Sequence, residues 1–101
     1  MKIIIVGAGE TGRHLAEQLS GHHHSICVID SAETIAGELQ ERLDTHVICG
    51  NGSSVTTLAE ANVGECDLCL ALTSDDETNL VAASLAKALG ARKTIARVHG
   101  R

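Results

Sequence analysis

Short apolar runs alternate with amphipathic stretches along the whole chain. The runs fall at about residues 2–6, 25–30, 46–49, 67–72 and 94–98, and unbroken apolar character over so few residues predicts strands buried on both faces. Between them the apolar residues recur at helical spacing. Leu15, Ala16 and Leu19 share one face of a helix expected over about 10–20, which Gly21 stops. Ile35, Leu39 and Leu43 recur every four residues and mark a second helix, with Ser31 as its expected cap. A short third helix opens at Ser53 or Ser54 and carries Val55, Leu58 and Ala59. The fourth, about 75–89, is rich in Ala and Leu and stops at Gly90. It follows Ser74-Asp75-Asp76-Glu77, the spacing of a capping box with Ser74 as N-cap and Glu77 at the third helical position.

Strict alternation of strand and helix predicts an α/β chain with a parallel sheet and right-handed crossovers. The first crossover is the most informative. Gly7-Ala8-Gly9-Glu10-Thr11-Gly12 follows the first run without a gap, and the second run ends in Asp30, 18 residues past Gly12. A bare GxGxxG says little, but here it sits between strand and helix with a carboxylate closing the next strand, the setting of a dinucleotide-binding fingerprint. Gly7 permits the tight turn, Gly9 lets a pyrophosphate approach the backbone, and Gly12 lets the helix pack closely on the strand. The helix N-terminus offers unpaired N–H groups to phosphates, and Asp30 can accept from ribose hydroxyls. A fingerprint on strand one implies a Rossmann-type doubly wound sheet of five strands in order 3-2-1-4-5. The carboxyl ends of the strands then share one edge, which carries Gly7–Gly12, Asp30, Gly50–Gly52, Thr73–Asp75 and Arg97.

Composition narrows the reading. The 101 residues make one domain, 1–101, with no linker, repeat or low-complexity segment. With no Phe, Tyr or Trp, the core must be built from aliphatic residues and Cys, and there is no platform for stacking bases. The net charge of −5 also argues against a nucleic-acid partner. Five of the eight basic residues, Lys87, Arg92, Lys93, Arg97 and Arg101, fall in the last fifteen positions. That clustering reads as a solvated helix end and loop, with Arg97 alone placed to face a ligand. No run approaches the roughly 20 apolar residues of a membrane span, and no signal peptide precedes the first strand, so a cytoplasmic location is expected.

Cys27 and Cys49 lie in apolar strands, where free Cys behaves as a small hydrophobe. Cys66 and Cys69 form a CxxC, but residues three apart on an extended strand point to opposite faces and share an ion poorly. No metal site is expected. His22-His23-His24 reads as a polar connection between helix and strand.

Beyond the fingerprint, several segments resemble the RCK or KTN domains of TrkA-type potassium-transport regulators. They are Lys2 to Gly9, Cys49-Gly50-Asn51-Gly52-Ser53, Leu58-Ala59-Glu60-Ala61, Cys66 to Asn79, and Ile95-Ala96-Arg97-Val98. Within them Thr73-Ser74-Asp75-Asp76-Glu77-Thr78-Asn79 is the most specific, because generic dehydrogenases do not carry it. The resemblance implies a non-catalytic regulatory domain of a homo-oligomer, dimeric or larger. It implies that NAD(H), ATP or ADP binds at the crevice, and that occupancy gates an associated potassium-conducting membrane subunit at the inner face of the plasma membrane. By position, Gly7, Ala8, Gly9, Glu10, Thr11 and Gly12 would hold phosphates, and Asp30, with Ser31 beside it, the adenosine ribose. Gly50, Asn51 and Gly52 would line the adenine side. Thr73, Ser74, Asp75 and Asn79 would face the distal half of the ligand, and Arg97 would contact a phosphate or a neighbouring domain.

Two departures matter. Some members carry Arg where this chain has Glu10, and a carboxylate facing inward repels a triphosphate, which favours NAD(H) over ATP. Family domains also continue beyond a fifth strand, which makes an excised domain the expectation here. The rival reading, the nucleotide-binding half of an NAD-dependent oxidoreductase, needs a substrate pocket and a proton donor. The six histidines supply no donor clearly on the ligand edge: His14 follows the turn on the helix and His99 lies past strand five.

Overall fold

The structure, a computed structural model, describes residues 1–21 and 23–99. Of the residues discussed above, His22 and Arg101 lie outside the described residues. Five strands, β1 (Lys2–Val6), β2 (Ser25–Asp30), β3 (His46–Cys49), β4 (Leu68–Ala71) and β5 (Thr94–Ala96), alternate with four helices. These are α1 (Glu10–Leu19), α2 (Glu33–Arg42), α3 (Val55–Glu60) and α4 (Asp76–Ala88). All pairings are parallel and the order is β3-β2-β1-β4-β5, so the Rossmann-type doubly wound sheet expected from the fingerprint is the one found.

Alternation along β1 sends its side chains into two cores. Ile4 and Val6 join Cys27, Ile29 and Cys69 beneath α3 and α4, where Leu58, Ala82 and Ala86 close the layer. Ile3 and Ile5 join Val28, Val47 and Leu70 beneath α1 and α2, against Ala16, Ala36 and Leu39. Alanine at the helix–sheet contacts lets the helices lie close, which fills a core without aromatic rings.

Local details differ from expectation at five places. Ser31 does not cap α2; the N-cap is Ala32, whose N–H is taken by Asp30 Oδ1 at 2.8 Å. The expected capping box does not form: α4 starts at Asp76 with Asp75 as its N-cap, no side chain caps its backbone, and the Asp75 carboxylate instead accepts from the Thr78 hydroxyl at 2.6 Å. In α3 only Leu58 is buried; Val55 and Ala59 face solvent, and a 3-10 turn, Val63–Glu65, follows. Strand geometry also misplaces the CxxC. Cys66 ends that 3-10 turn ahead of β4, so it turns into the same core as Cys69 and Cys27. Burial pushes the Cys27 thiol up to about 11 and that of Cys69 to about 12. Cys49, expected to be buried, is exposed at the end of β3. All four thiols are free.

Candidate functional site

The loops that leave the carboxyl ends of the strands are fastened to one another by continuations of the sheet ladder. Gly7 N–H donates to Ile29 O at 2.7 Å, Gly50 N–H to Asp30 O at 2.9 Å, Leu72 N–H to Val6 O at 2.8 Å and Arg97 N–H to Ala71 O at 2.9 Å. The loops enclose an open cavity of about 750 Å³. Its position is the switch point of the sheet, where β1 and β4 diverge to opposite helix layers.

The glycine turn forms one wall. Gly7 has a φ of +100°, and a Cβ there would press on Thr73 N at 2.8 Å, so only glycine fits. A Cβ on Gly12 would overlap the Gly7 carbonyl oxygen, which fixes how closely α1 approaches β1. Gly9 is different: a Cβ there would meet nothing within 4 Å. Its bareness serves the open space, not the packing. Gly9 is also the N-cap of α1 and supplies no side chain, so the first amides of the helix lack a capping partner and carry the positive end of the helix dipole.

Asp30, half-buried at the end of β2, stands beside the turn. Its Oδ2 accepts from Ala8 N–H and its Oδ1 from Ala32 N–H, both at 2.8 Å. It is therefore a structural clasp as well as a cavity residue, with lone pairs left for a ligand. Asn51 makes an Asx turn in which its Oδ1 accepts from Ser53 N–H (2.9 Å) and Ser53 Oγ (2.7 Å). Across the cavity, Thr73, Ser74 and Asp75 line the turn after β4.

Thirteen of the sixteen residues singled out in the sequence line this cavity: Gly7, Gly9, Glu10, Thr11, Asp30, Ser31, Gly50, Asn51, Gly52, Thr73, Ser74, Asp75 and Arg97. Three do not. Ala8 and Gly12 are buried behind the turn. Asn79 is fully buried, and its amide is consumed by Thr73 N (2.8 Å), Thr73 Oγ1 (2.7 Å), Thr73 O (3.0 Å) and Arg97 O (3.0 Å). The lining also includes Val6, Ile29, Ile35, Leu72 and Thr78, which the sequence did not single out. The first four were legible only as core residues, because strand ends and the tops of helix stripes become visible as walls once the crossovers are placed.

The Asp76 carboxyl is held below its ordinary 3.8 by the ring and backbone N–H groups of His99, 23 residues on. Neither residue lines the cavity. Among the described residues there is no group of three or more potential metal ligands, and no helix is long and apolar enough to cross a membrane.

Sheet order, glycine turn and cavity together define a Rossmann-type domain. Within that class, the TrkA-N domain family matches residues 3–101, and the chain belongs to it. It is 39% identical over 98 residues to a Trk system potassium uptake protein TrkA homolog of Methanothermobacter thermautotrophicus, covering 97% of this chain and 45% of that protein. The chain thus spans less than half of that relative. Among solved structures, the NAD(P)-binding domain of an exopolyphosphatase-related protein from Archaeoglobus fulgidus superposes with a TM-score of 0.85 at 17% identity, covering 97% of this chain and 73% of that one. The GsuK channel bound to NAD superposes with a TM-score of 0.77 at 23% identity, covering 88% of this chain and 16% of that one.

Proposed function

We propose that this chain is a nucleotide-sensing domain that binds NAD(H) at the carboxyl edge of its sheet. Through that occupancy it regulates a potassium-conducting membrane subunit from the cytoplasmic side, without catalysing a reaction. The observation that carries the reading is Gly9: a residue bare of side chain, on open space, at the uncapped positive end of α1, with the Asp30 carboxylate beside it, bonded to the neighbouring Ala8 N–H and lining the same cavity. A diphosphate belongs at the first feature and an adenosine ribose at the second. Gly50, Asn51 and Gly52 then border the adenine, and the turn at Thr73–Asp75 the distal half.

Charge favours a dinucleotide over a triphosphate. Glu10, Asp30 and Asp75 line the cavity against Arg97 alone, and NAD carries far less net negative charge than ATP. Asp30 disfavours NADP, whose 2′-phosphate would meet its carboxylate. The potassium assignment is supported by what the relatives are named, and coupling would work by population shift: a ligand that contacts one packing of the subunits better than another moves the equilibrium toward it. Equilibrium titration calorimetry with NADH, NAD, NADPH, ATP and ADP tests the reading. NADH and NAD binding at micromolar levels with weak NADPH is expected; no nucleotide bound, or NADPH preferred, contradicts it.

A further inference from the structure

Arg97 lies one residue past β5, and its guanidinium reaches back to the first turn of α1. Nη2 donates to Leu72 O at 2.7 Å and Thr73 O at 2.9 Å, and Nη1 donates to Thr11 Oγ1 at 3.1 Å. Nε is buried with no acceptor among the described residues. Asn79 grips the same turn from below, holding Thr73 through both its amide atoms and Arg97 through the latter's carbonyl. Four elements of the fold thus meet in one polar network at the cavity wall.

The network fixes the direction of a hydrogen. A guanidinium can only donate, and a hydroxyl has one hydrogen to give. Thr11 Oγ1 must therefore accept from Arg97, and its own hydrogen points elsewhere. No acceptor for it occurs among the described residues, and Thr11 is exposed on the cavity wall beside the unpaired amides of α1. The Thr73 hydroxyl behaves in the opposite way. It gives its hydrogen inward, to Asn79 Oδ1 at 2.7 Å or Asp75 O at 3.1 Å.

We propose that Arg97 is a positioning residue that sets the Thr11 hydroxyl as a donor to a phosphate oxygen of a bound nucleotide diphosphate, while Nη2 gives both its hydrogens to backbone carbonyls and Nε is buried. Arg97 then contributes to affinity through Thr11. This rests on the reading that a dinucleotide occupies the carboxyl edge.

The test is a double-mutant cycle read by calorimetric titration of NADH, with the thermal midpoint of every variant recorded. Thr11→Val and Arg97→Gln each lower affinity about tenfold, the worth of one hydrogen bond to a charged group. The double variant is no weaker than the weaker single, because the second change removes nothing further. Thr11→Ser, which keeps the hydroxyl, recovers most of the affinity lost in Thr11→Val. Should Arg97→Gln fail to fold, Arg97→Lys replaces it in the cycle. It keeps the charge but not the fork, so it also loses affinity only where Thr11 is present. A double variant about a hundredfold weaker than wild type means that both residues touch the ligand independently and overturns the assignment. So does an Arg97 variant that folds and binds normally. Wild type taking up no NADH overturns the dinucleotide reading itself, and this assignment with it.

Discussion

The carboxylate of Asp30 accepts the backbone N–H of Ala8 at 2.8 Å, joining the end of β2 to the middle of the glycine turn. The carboxylate proposed to meet a ribose is thus also the one that holds the glycine turn in shape. Asp30→Ala should therefore act twice. It should lower stability by about 2 kcal/mol through the lost charged hydrogen bonds to Ala8 and Ala32, and weaken NADH and ATP alike by about tenfold. Denaturant unfolding and calorimetry measure the two effects, and unchanged affinity removes Asp30 from the ligand site.

The two glycines on either side of Glu10 should separate packing from binding. A methyl at position 12 overlaps the Gly7 carbonyl oxygen, so Gly12→Ala should cost about 3 kcal/mol in an unfolding titration, the upper range for overpacking. A methyl at position 9 meets nothing, so Gly9→Ala should change stability by less than about 1 kcal/mol, the scale of an N-cap change. It should still weaken NADH binding at least as much as Gly12→Ala does in whatever fraction of that variant folds. A Gly9→Ala protein with wild-type affinity would mean that nothing approaches that wall.

Glu10 is exposed and lines the cavity. Glu10→Arg should raise affinity for ATP relative to NADH, by Coulomb attraction to the outer phosphates, and the gain should shrink with added salt. An unaltered ATP/NADH ratio in calorimetry would show that the side chain points away from the ligand.

The thiols offer a pH-resolved probe of the core. Burial raises Cys66 and pushes Cys27 to about 11 and Cys69 to about 12. The thiolate is the reactive form, so these three should resist alkylation at pH 8 and still at pH 9. Exposed Cys49 should react promptly, and Cys49→Ser should abolish the fast phase. A second fast thiol in the native protein would show that the core beneath α4 opens readily.

What the sequence revealed and what it hid divide along a physical line. Features set by local periodicity were legible: the five strands, the stripe of α1 and the glycine turn each depend on neighbours a few residues away. Within that local range, errors arose where several residues competed for one role. Ser74 and Asp75 are both residues that favour the N-cap; Asp75 takes the position, and its carboxylate goes to the Thr78 hydroxyl instead of the helix backbone. Cys66 looked like a strand residue because nothing local announces the 3-10 turn that ends on it. Relationships made by tertiary closure left no trace at all. Arg97 and Thr11 are 86 residues apart and Asp76 and His99 are 23 apart. Asn79 looked like a ligand residue on the first turn of α4, and only the packed structure shows its amide turned inward and fully used.

The most direct test of the central claim is amide chemical-shift mapping of the isotope-labelled protein as NADH is added. A dinucleotide at the carboxyl edge predicts saturable shifts at Gly9 to Gly12, Asp30 and Ser31, Gly50 to Gly52, and Thr73 to Asp75. The opposite edge, at Lys2, Ser25 and Asp67, should stay still. Shifts confined to that opposite edge, or none at saturating NADH, would contradict the account.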